Sequence, residues 1–128
     1  MNIQKAFSGY SARDMSVMKP FYNDVLELDV IDSMGGISLS FASGQSVFIY
    51  PKEGHEPATF TVLNLVVSNI NEAVDELMAK GVVFERYEGM PSEQDERGVL
   101  RGKDVGMGPN IAWLKDPSDN ILALIEEQ

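Results

Sequence analysis

The chain carries a single histidine, His55, with Glu53 and Glu56 close to it in the sequence. Imidazole and carboxylate groups at this spacing can form a surface metal site or a pH-responsive cluster. The alternative is a solvated loop histidine beside unrelated acids, and the isolated position of His55 favours it. A Ser–His–Asp nucleophile needs its histidine inside the binding site. Because His55 falls in a linker, the sequence argues against that chemistry.

The glycine-rich segment 86–110 contains the bases Arg97, Arg101 and Lys103 in an otherwise acidic chain. Loops of this length are often functional lids, and a mobile surface excursion is the alternative. Residues 99–100 and Val105 are apolar enough to add a short strand. The bases are suited to clamping an anionic ligand from the lid. Pairing with neighbouring acids is the favoured interpretation, with these candidates: Glu93, Asp95, Glu96 and Asp104.

Composition limits the possible partners. Twenty acidic and ten basic residues give the 128-residue chain a net charge of −10, which disfavours nucleic acid and anionic membrane surfaces. Cysteine is absent, so disulfides and thiol chemistry are excluded. The N-terminal residues lack the apolar core of a signal peptide, and every apolar stretch is far shorter than the roughly 18 residues of a membrane span. We therefore expect a cytoplasmic protein.

The elements that position these residues follow one plan twice. In the first half, residues 6–12 read as a strand, and residues 15–28 as a helix with Pro20 near its start. Three short strands complete the first module: 30–31, 37–41 and 47–50. In the second half, residues 60–67 read as a strand before a helix that Asn69 caps and Gly81 ends. The remaining predicted strands are 82–87, 111–115 and 121–125, and a turn over residues 116–120 joins the last two.

This βαβββ repeat predicts an α+β protein of one domain, with modules at residues 1–54 and 60–128. Four segments carry a resemblance to a known family: 12–14, 21–28, 71–82 and 113–122. In this order and spacing they resemble the vicinal oxygen chelate superfamily, which includes glyoxalase I, bleomycin-resistance proteins and extradiol dioxygenases. The resemblance implies a curved, cup-shaped mixed sheet with helices on its outer face, a ligand in the concave face, and a homodimer.

The enzymes of that superfamily hold a divalent metal through His, Glu or Gln at four strand positions. The resemblance places these positions at Phe7, Val62, Ala123 and either Phe48 or Ile49. All of these side chains are hydrocarbon, and a divalent metal requires oxygen, nitrogen or thiolate donors. The sequence therefore predicts neither a metal nor a cofactor, and it gives no candidate catalytic residue.

Strand alternation extends the inward face from those positions. The predicted ligand-binding residues are Phe7, Ser11, Phe48, Tyr50, Val62, Asn64, Trp113 and Ala123. Such an apolar, aromatic surface with a few polar groups is typical of a small-molecule pocket. The alternative is that the same side chains fill the cup as a core.

These observations favour a metal-independent small-molecule-binding protein of the glyoxalase/bleomycin-resistance type that sequesters an aromatic or cationic compound. Two alternatives stay open: a glyoxalase-like lyase or dioxygenase-related enzyme with a non-standard site, and a structural dimer with a filled cup. Enzymatic activity is left undecided, because one fold hosts many chemistries. The expected partners are a small molecule and a second copy of the chain.

Overall fold

The computed structural model describes residues 1–90 and 93–128; Pro91 and Ser92, which belong to the predicted loop, lie outside the described residues. It divides into two compact units, Met1–Pro57 and Ala58–Gln128. Each unit contains a four-stranded mixed sheet with a helix between its first two strands, which confirms the α+β class and the repeated βαβββ plan.

The first unit begins with β1 (Ser8–Ala12), which leads through Asp14 into α1 (Met15–Pro20). Its other strands are β2 (Asp29–Ser33), β3 (Gly36–Ser40) and β4 (Ser46–Pro51). The strand order is β1-β4-β3-β2, with β1 parallel to β4 and the other pairs antiparallel. The first strand starts two residues later than the predicted residue 6, so Phe7 precedes it.

The first helix is shorter than predicted, and Pro20 lies at its end and not near its start. Proline has no N–H to donate to the carbonyl four residues earlier, so α-helical bonding cannot continue through it. The chain instead continues as a π-helical segment, Phe21–Val25, in which the N–H of Leu26 donates to the carbonyl of Phe21 at 3.1 Å. The predicted single helix over residues 15–28 is thus wrong in its bonding and its end.

The core of the first unit lies between this helical segment and one face of its sheet. Met18 and Tyr22 are fully buried, and the Tyr22 hydroxyl lies 2.7 Å from that of Tyr10 on β1. Each large apolar side chain removed from water contributes about 1.5–3 kcal/mol. The remaining buried apolar residues of this unit are Ala12, Ile37, Leu39, Val47 and Ile49.

The second unit repeats the arrangement with β5 (Thr61–Val67), α2 (Ile70–Ala79), β6 (Leu100–Arg101), β7 (Asn110–Lys115) and β8 (Ile121–Glu126). A 3₁₀ helix, Gly102–Val105, follows β6 and includes the Val105 that was predicted to be in a strand. The strand order, β5-β8-β7-β6, is that of the first sheet, with β5 parallel to β8. The predicted turn at residues 116–120 joins β7 to β8.

The predicted ends of α2 are confirmed. The Asn69 side chain accepts a hydrogen bond from the Glu72 N–H at 3.1 Å, and Gly81, at φ +92°, follows the helix in the left-handed conformation. The sequence did not reveal a second cap: the Glu126 carboxylate of β8 accepts the Ile70 N–H at 2.9 Å. That bond holds the pKa of Glu126 below its usual range, with support from Lys103.

The predicted strand over residues 82–87 is wrong. The segment is irregular, although the Glu85 N–H donates to the carbonyl of Trp113 on β7 at 2.8 Å. The other end of β7 is paired by β6, where Leu100 lies opposite Ile111. One edge of β7 is therefore divided: β6 pairs with its first residues, and the segment around Glu85 contacts it at Trp113. Residues 82–87 cannot form the continuous ladder of hydrogen bonds that defines a strand.

Among residues 1–90 and 93–128, no helix combines the length and apolar character needed to cross a bilayer.

Candidate functional site

The first unit presents a face of its sheet opposite the buried helical side. Tyr10 and Ala12 point into the core, so Ser11 between them points to the other face. Ser11 lies opposite Tyr50 in the β1–β4 ladder, and the rings of Tyr50 and Phe48 stack with centroids 5.8 Å apart. Gly9 lies opposite Phe48. Three of the predicted ligand-binding residues therefore share this surface, which we call the aromatic face.

Phe7, the fourth predicted residue of this unit, is not part of the ladder. It precedes β1, and its side chain is 57% exposed. The resemblance assigned Phe7 to the inward face as a metal-ligand position, but strand alternation does not fix its direction because it lies outside the ladder.

The sequence favoured a solvated loop position for His55, and this interpretation is wrong. Its Nδ1 lies 2.6 Å from the Ser11 hydroxyl oxygen, and both side chains are partly buried. The pair could not be predicted from local sequence, because 44 residues separate its members. The available signal was local: Gly54 precedes the histidine and marks a turn shortly after β4, the strand that pairs with β1.

The turn that carries His55 is well defined. The Lys52 N–H donates to the Ala12 carbonyl at 3.0 Å, which keeps the end of β4 attached to β1. The His55 N–H then donates to the Lys52 carbonyl at 3.1 Å, and Gly54 adopts φ +73°. A positive φ at the third position is what a type II turn requires, and glycine adopts it without steric cost.

In the second unit a row of three residues crosses the sheet. Asn64 on β5 lies opposite Ala123 on β8, and Ala123 lies opposite Trp113 on β7. The neighbours of Trp113, Ala112 and Leu114, are buried, so Trp113 points to the opposite face. Ala123 is only 1% exposed, so of the three it offers a ligand the least surface. We call this surface the tryptophan face.

A β-bulge changes the predicted position of Val62. The ladder pairs Thr61 with Ile121 and Leu63 with Leu122, so three residues on β5 match two on β8. Simple alternation, which grouped Val62 with Asn64, does not apply across such an irregularity. Thr61, which the sequence analysis did not consider, occupies the position beside Trp113 and accepts a hydrogen bond from its Nε1 at 3.2 Å.

Tyr87 borders the tryptophan face. Its ring meets that of Trp113 edge to face, with centroids 5.6 Å apart. Burial raises the pKa of the Tyr87 hydroxyl, the negative charge of Glu85 adds to the increase, and Lys115 opposes it. Lys115 also forms an ion pair with Glu85 at 3.4 Å. At neutral pH, Tyr87 therefore offers a neutral hydroxyl next to the indole.

Arg97, Arg101 and Lys103 each pair with an acid, so the pairing interpretation is correct. Arg101 contacts Asp95 at 3.0 Å, as predicted. Arg97 instead pairs with Asp75 on α2, and Lys103 pairs with Glu126 on β8 at 2.8 Å, so two of the partners are ones the sequence did not suggest.

Asp95 organises the described part of this segment. One carboxylate oxygen accepts the N–H groups of Arg97 and Val99, both at 2.9 Å, while the other accepts the Arg101 guanidinium. Burial alone would raise the pKa of Asp95, but these hydrogen bonds outweigh it and the pKa lies below its usual value. These bonds hold residues 95–101 together, and the ion pair between Arg97 and Asp75 attaches them to α2.

The metal that the superfamily's enzymes use does not fit the residues present. Phe7, Phe48, Val62 and Ala123 have no donor atom, and neither does Ile49. In the described part of the chain, no three His, Asp or Glu side chains come together in a way that could hold a metal ion. The donor chemistry thus disagrees with the metal-dependent members of the superfamily.

Comparison with solved structures identifies the fold. An antibiotic-binding protein, TnmS3 from Streptomyces sp. CB03234, aligns over 100% of this chain and 99% of its own, with a TM-score of 0.70 and 15% identity. A glyoxalase/bleomycin resistance protein/dioxygenase superfamily member from Sphaerobacter thermophilus aligns over 98% of both chains, with a TM-score of 0.70 and 22% identity. The fosfomycin resistance protein FosX from Listeria monocytogenes aligns over 100% of this chain and 96% of its own, at 0.68 and 11%.

No protein-family model and no curated protein sequence matches this chain. The structural likeness nevertheless spans the whole chain, and it confirms the expected fold as that of the vicinal oxygen chelate superfamily. At these identities the likeness concerns the fold, which hosts several chemistries.

Proposed function

We propose that this protein binds a small aromatic compound, preferably a cationic one, without a metal ion, and that it works as a cytoplasmic homodimer. Two surfaces are candidates for this binding: the aromatic face of the first unit and the tryptophan face of the second. The residues assigned to binding are Phe7, Ser11, Phe48, Tyr50, Val62, Asn64, Trp113 and Ala123.

The observation that carries this proposal is the grouping of aromatic rings on the sheet faces turned away from the helices. Phe48 stacks on Tyr50 in one unit, and Tyr87 meets Trp113 in the other. Aromatic rings bind flat ligands by offset stacking and edge contacts, which are worth about 0.5–1.5 kcal/mol per pair beyond area burial. The hydroxyl of Ser11 and the amide of Asn64 supply the few polar groups that orient a ligand in such a site.

Charge supports a cationic ligand. The net charge of −10 lowers the free energy of a cation near the surface and speeds its encounter. Arg97, Arg101 and Lys103 are already paired with acids, so they are poorly placed to attract an anion. A cation over the face of tryptophan, tyrosine or phenylalanine gains about 0.5–2 kcal/mol.

Trp113 is the only tryptophan, so intrinsic fluorescence reports directly on the tryptophan face. We would titrate the protein with an acridinium dye and, as a matched control, with an anionic naphthalene sulfonate, and follow both emission and thermal unfolding. The cationic dye is expected to quench Trp113 and to raise Tm, because a ligand at 100 times its Kd stabilises by about 2.7 kcal/mol. Trp113→Phe and Phe48→Ala should each weaken binding, whereas Val83→Ala, at an exposed position of the irregular segment, should not.

Three results would contradict the proposal. A stronger response to the naphthalene sulfonate would reverse the expected charge preference. Stabilisation by Ni²⁺, Zn²⁺ or Mn²⁺ alone at low concentration would point to a metal site that the side chains do not predict. A monomeric mass by light scattering, with and without dye, would remove the dimer from the proposal.

A further inference from the structure

The Ser11–His55 pair has the geometry of a nucleophile and its base. The hydroxyl oxygen and Nδ1 lie 2.6 Å apart, within the range over which a histidine can take a hydroxyl proton. In the tautomer that carries its proton on Nε2, Nδ1 accepts the hydrogen bond from Ser11. No metal is needed for this chemistry.

Both members of the pair are held by backbone structure. Ser11 lies within β1, in register with Tyr50 of the parallel strand β4. His55 is fixed by the turn that starts at Lys52, whose N–H is bonded to the carbonyl of Ala12, the residue after Ser11. A side chain placed by a strand and one placed by a tight turn lose less conformational entropy on reacting than two free side chains would.

We propose that Ser11 and His55 form a nucleophile–base dyad that hydrolyses small aryl esters. The Ser11 oxygen forms a bond to the ester carbonyl carbon while its proton passes to His55 Nδ1. The bond between that carbon and the phenolic oxygen breaks, and the leaving phenolate takes the proton from His55. Water then adds to the acyl carbon and gives a proton to His55, and the Ser11 oxygen leaves with that proton as the acid is released.

The surroundings of Ser11 indicate why the ester is aromatic. Tyr50 lies opposite Ser11 in the ladder, and its ring stacks on Phe48. An aryl leaving group can lie against these rings while its carbonyl reaches the hydroxyl. The inference uses the aromatic face but does not require a ligand on the tryptophan face, so the two proposals can fail separately.

The test uses the full chain at neutral pH with 4-nitrophenyl acetate. We expect a burst of nitrophenolate, a single acetyl group on the protein by intact mass, and its location on Ser11 by peptide mapping. Ser11→Ala should abolish the mapped adduct. His55→Gln, which keeps hydrogen-bonding capacity without a base, should slow acylation of Ser11 by about 10²-fold or more.

Two controls separate chemistry from folding. Ser43→Ala removes an exposed serine in the turn between β3 and β4, outside the aromatic face, and should leave the rate unchanged. Added imidazole should partly restore acylation of Ser11 in His55→Ala, which a merely structural role for His55 would not produce. Circular dichroism confirms that each variant is folded.

The proposal is overturned if the acetyl group maps to lysines or to other serines, or if His55→Gln acylates Ser11 at the rate of the unaltered protein. Quenching of Trp113 by the acridinium dye is measured in parallel. Dye binding with no Ser11 adduct would reject the dyad and retain the binding function. A Ser11 adduct without dye binding would retain the dyad and reject the binding function.

Discussion

The indole N–H of Trp113 on β7 donates to the hydroxyl oxygen of Thr61 on β5 at 3.2 Å, across the intervening strand β8. Regular alternation from Asn64 would place Val62 on this face. The β-bulge at the start of β5 interrupts that alternation and places Thr61 beside the tryptophan instead. The bond fixes the direction of the largest side chain on the tryptophan face.

Thr61→Val removes the acceptor with little change in shape. The Trp113 N–H then loses its partner in a partly buried position, which costs about 1 kcal/mol of unfolding free energy. Urea denaturation measures the loss. Thr59→Val, at an exposed threonine two residues earlier, serves as the control, and an equal effect of the two variants would contradict the role given to Thr61.

The buried hydroxyl pair of Tyr10 and Tyr22 is suited to a double-mutant cycle. Each single change to phenylalanine leaves the other hydroxyl without this partner in the core and should cost about 1–2 kcal/mol. The double variant should cost less than the sum, with a coupling energy of at least about 0.5 kcal/mol, because residues that share a hydrogen bond are not additive. Thermal and urea unfolding of the four proteins give the cycle; strict additivity would mean that the two hydroxyls act independently.

We expect the lowered pKa of Asp95 to make the stability of the protein depend on pH. The pKa of the Asp95 carboxyl is lower in the folded protein than its ordinary value of 3.8. The ionised carboxylate therefore contributes fully to the free energy of unfolding above pH 3.8, and this contribution is lost as the pH falls through the lowered pKa. Asp95→Asn should cost about 2 kcal/mol at neutral pH, where the carboxylate accepts several hydrogen bonds. The difference between the two proteins should narrow below about pH 4.

The control for that experiment is Glu96→Gln, which changes an exposed neighbouring carboxylate. It should shift stability by less than about 0.5 kcal/mol at any pH between 3 and 7. A stability gap for Asp95→Asn that stays constant down to the acid transition would show that the carboxylate charge does not matter there.

Gly36 and Gly44 require glycine for two different reasons, lack of space for a side chain and a left-handed backbone. A Cβ at Gly36, at the start of β3, would collide with the backbone oxygen of Ile49, whereas one at Gly44 meets open space but stands at φ +89°. Gly36→Ala should therefore cost about 3 kcal/mol, because main-chain atoms cannot move aside. Gly44→Ala should cost about 1 kcal/mol from backbone strain alone. Chemical denaturation ranks the two, and the reverse order would contradict this explanation.

Local chemistry made much of the fold predictable. Asn69 caps α2 as its sequence position indicated, and Asp14 accepts a hydrogen bond from the Ser16 N–H at the start of α1 in the same way. Gly81 and the turn over residues 116–120 were equally readable, because helix ends and tight turns depend on residues a few positions apart. The segment over residues 82–87 was not, because its strand character depends on whether a distant edge is free to pair.

The sequence by itself determined the repeated βαβββ plan, the aromatic content of the sheets and the absence of donor atoms at the superfamily's metal positions. Only the tertiary structure decided that His55 meets Ser11, that Thr61 holds Trp113, and that Lys103 pairs with Glu126. The physical reason is range. Periodicity, caps and turns arise from neighbours along the chain, whereas these contacts depend on strand register, a bulge and a returning turn, which are settled only when all parts of a sheet pack together.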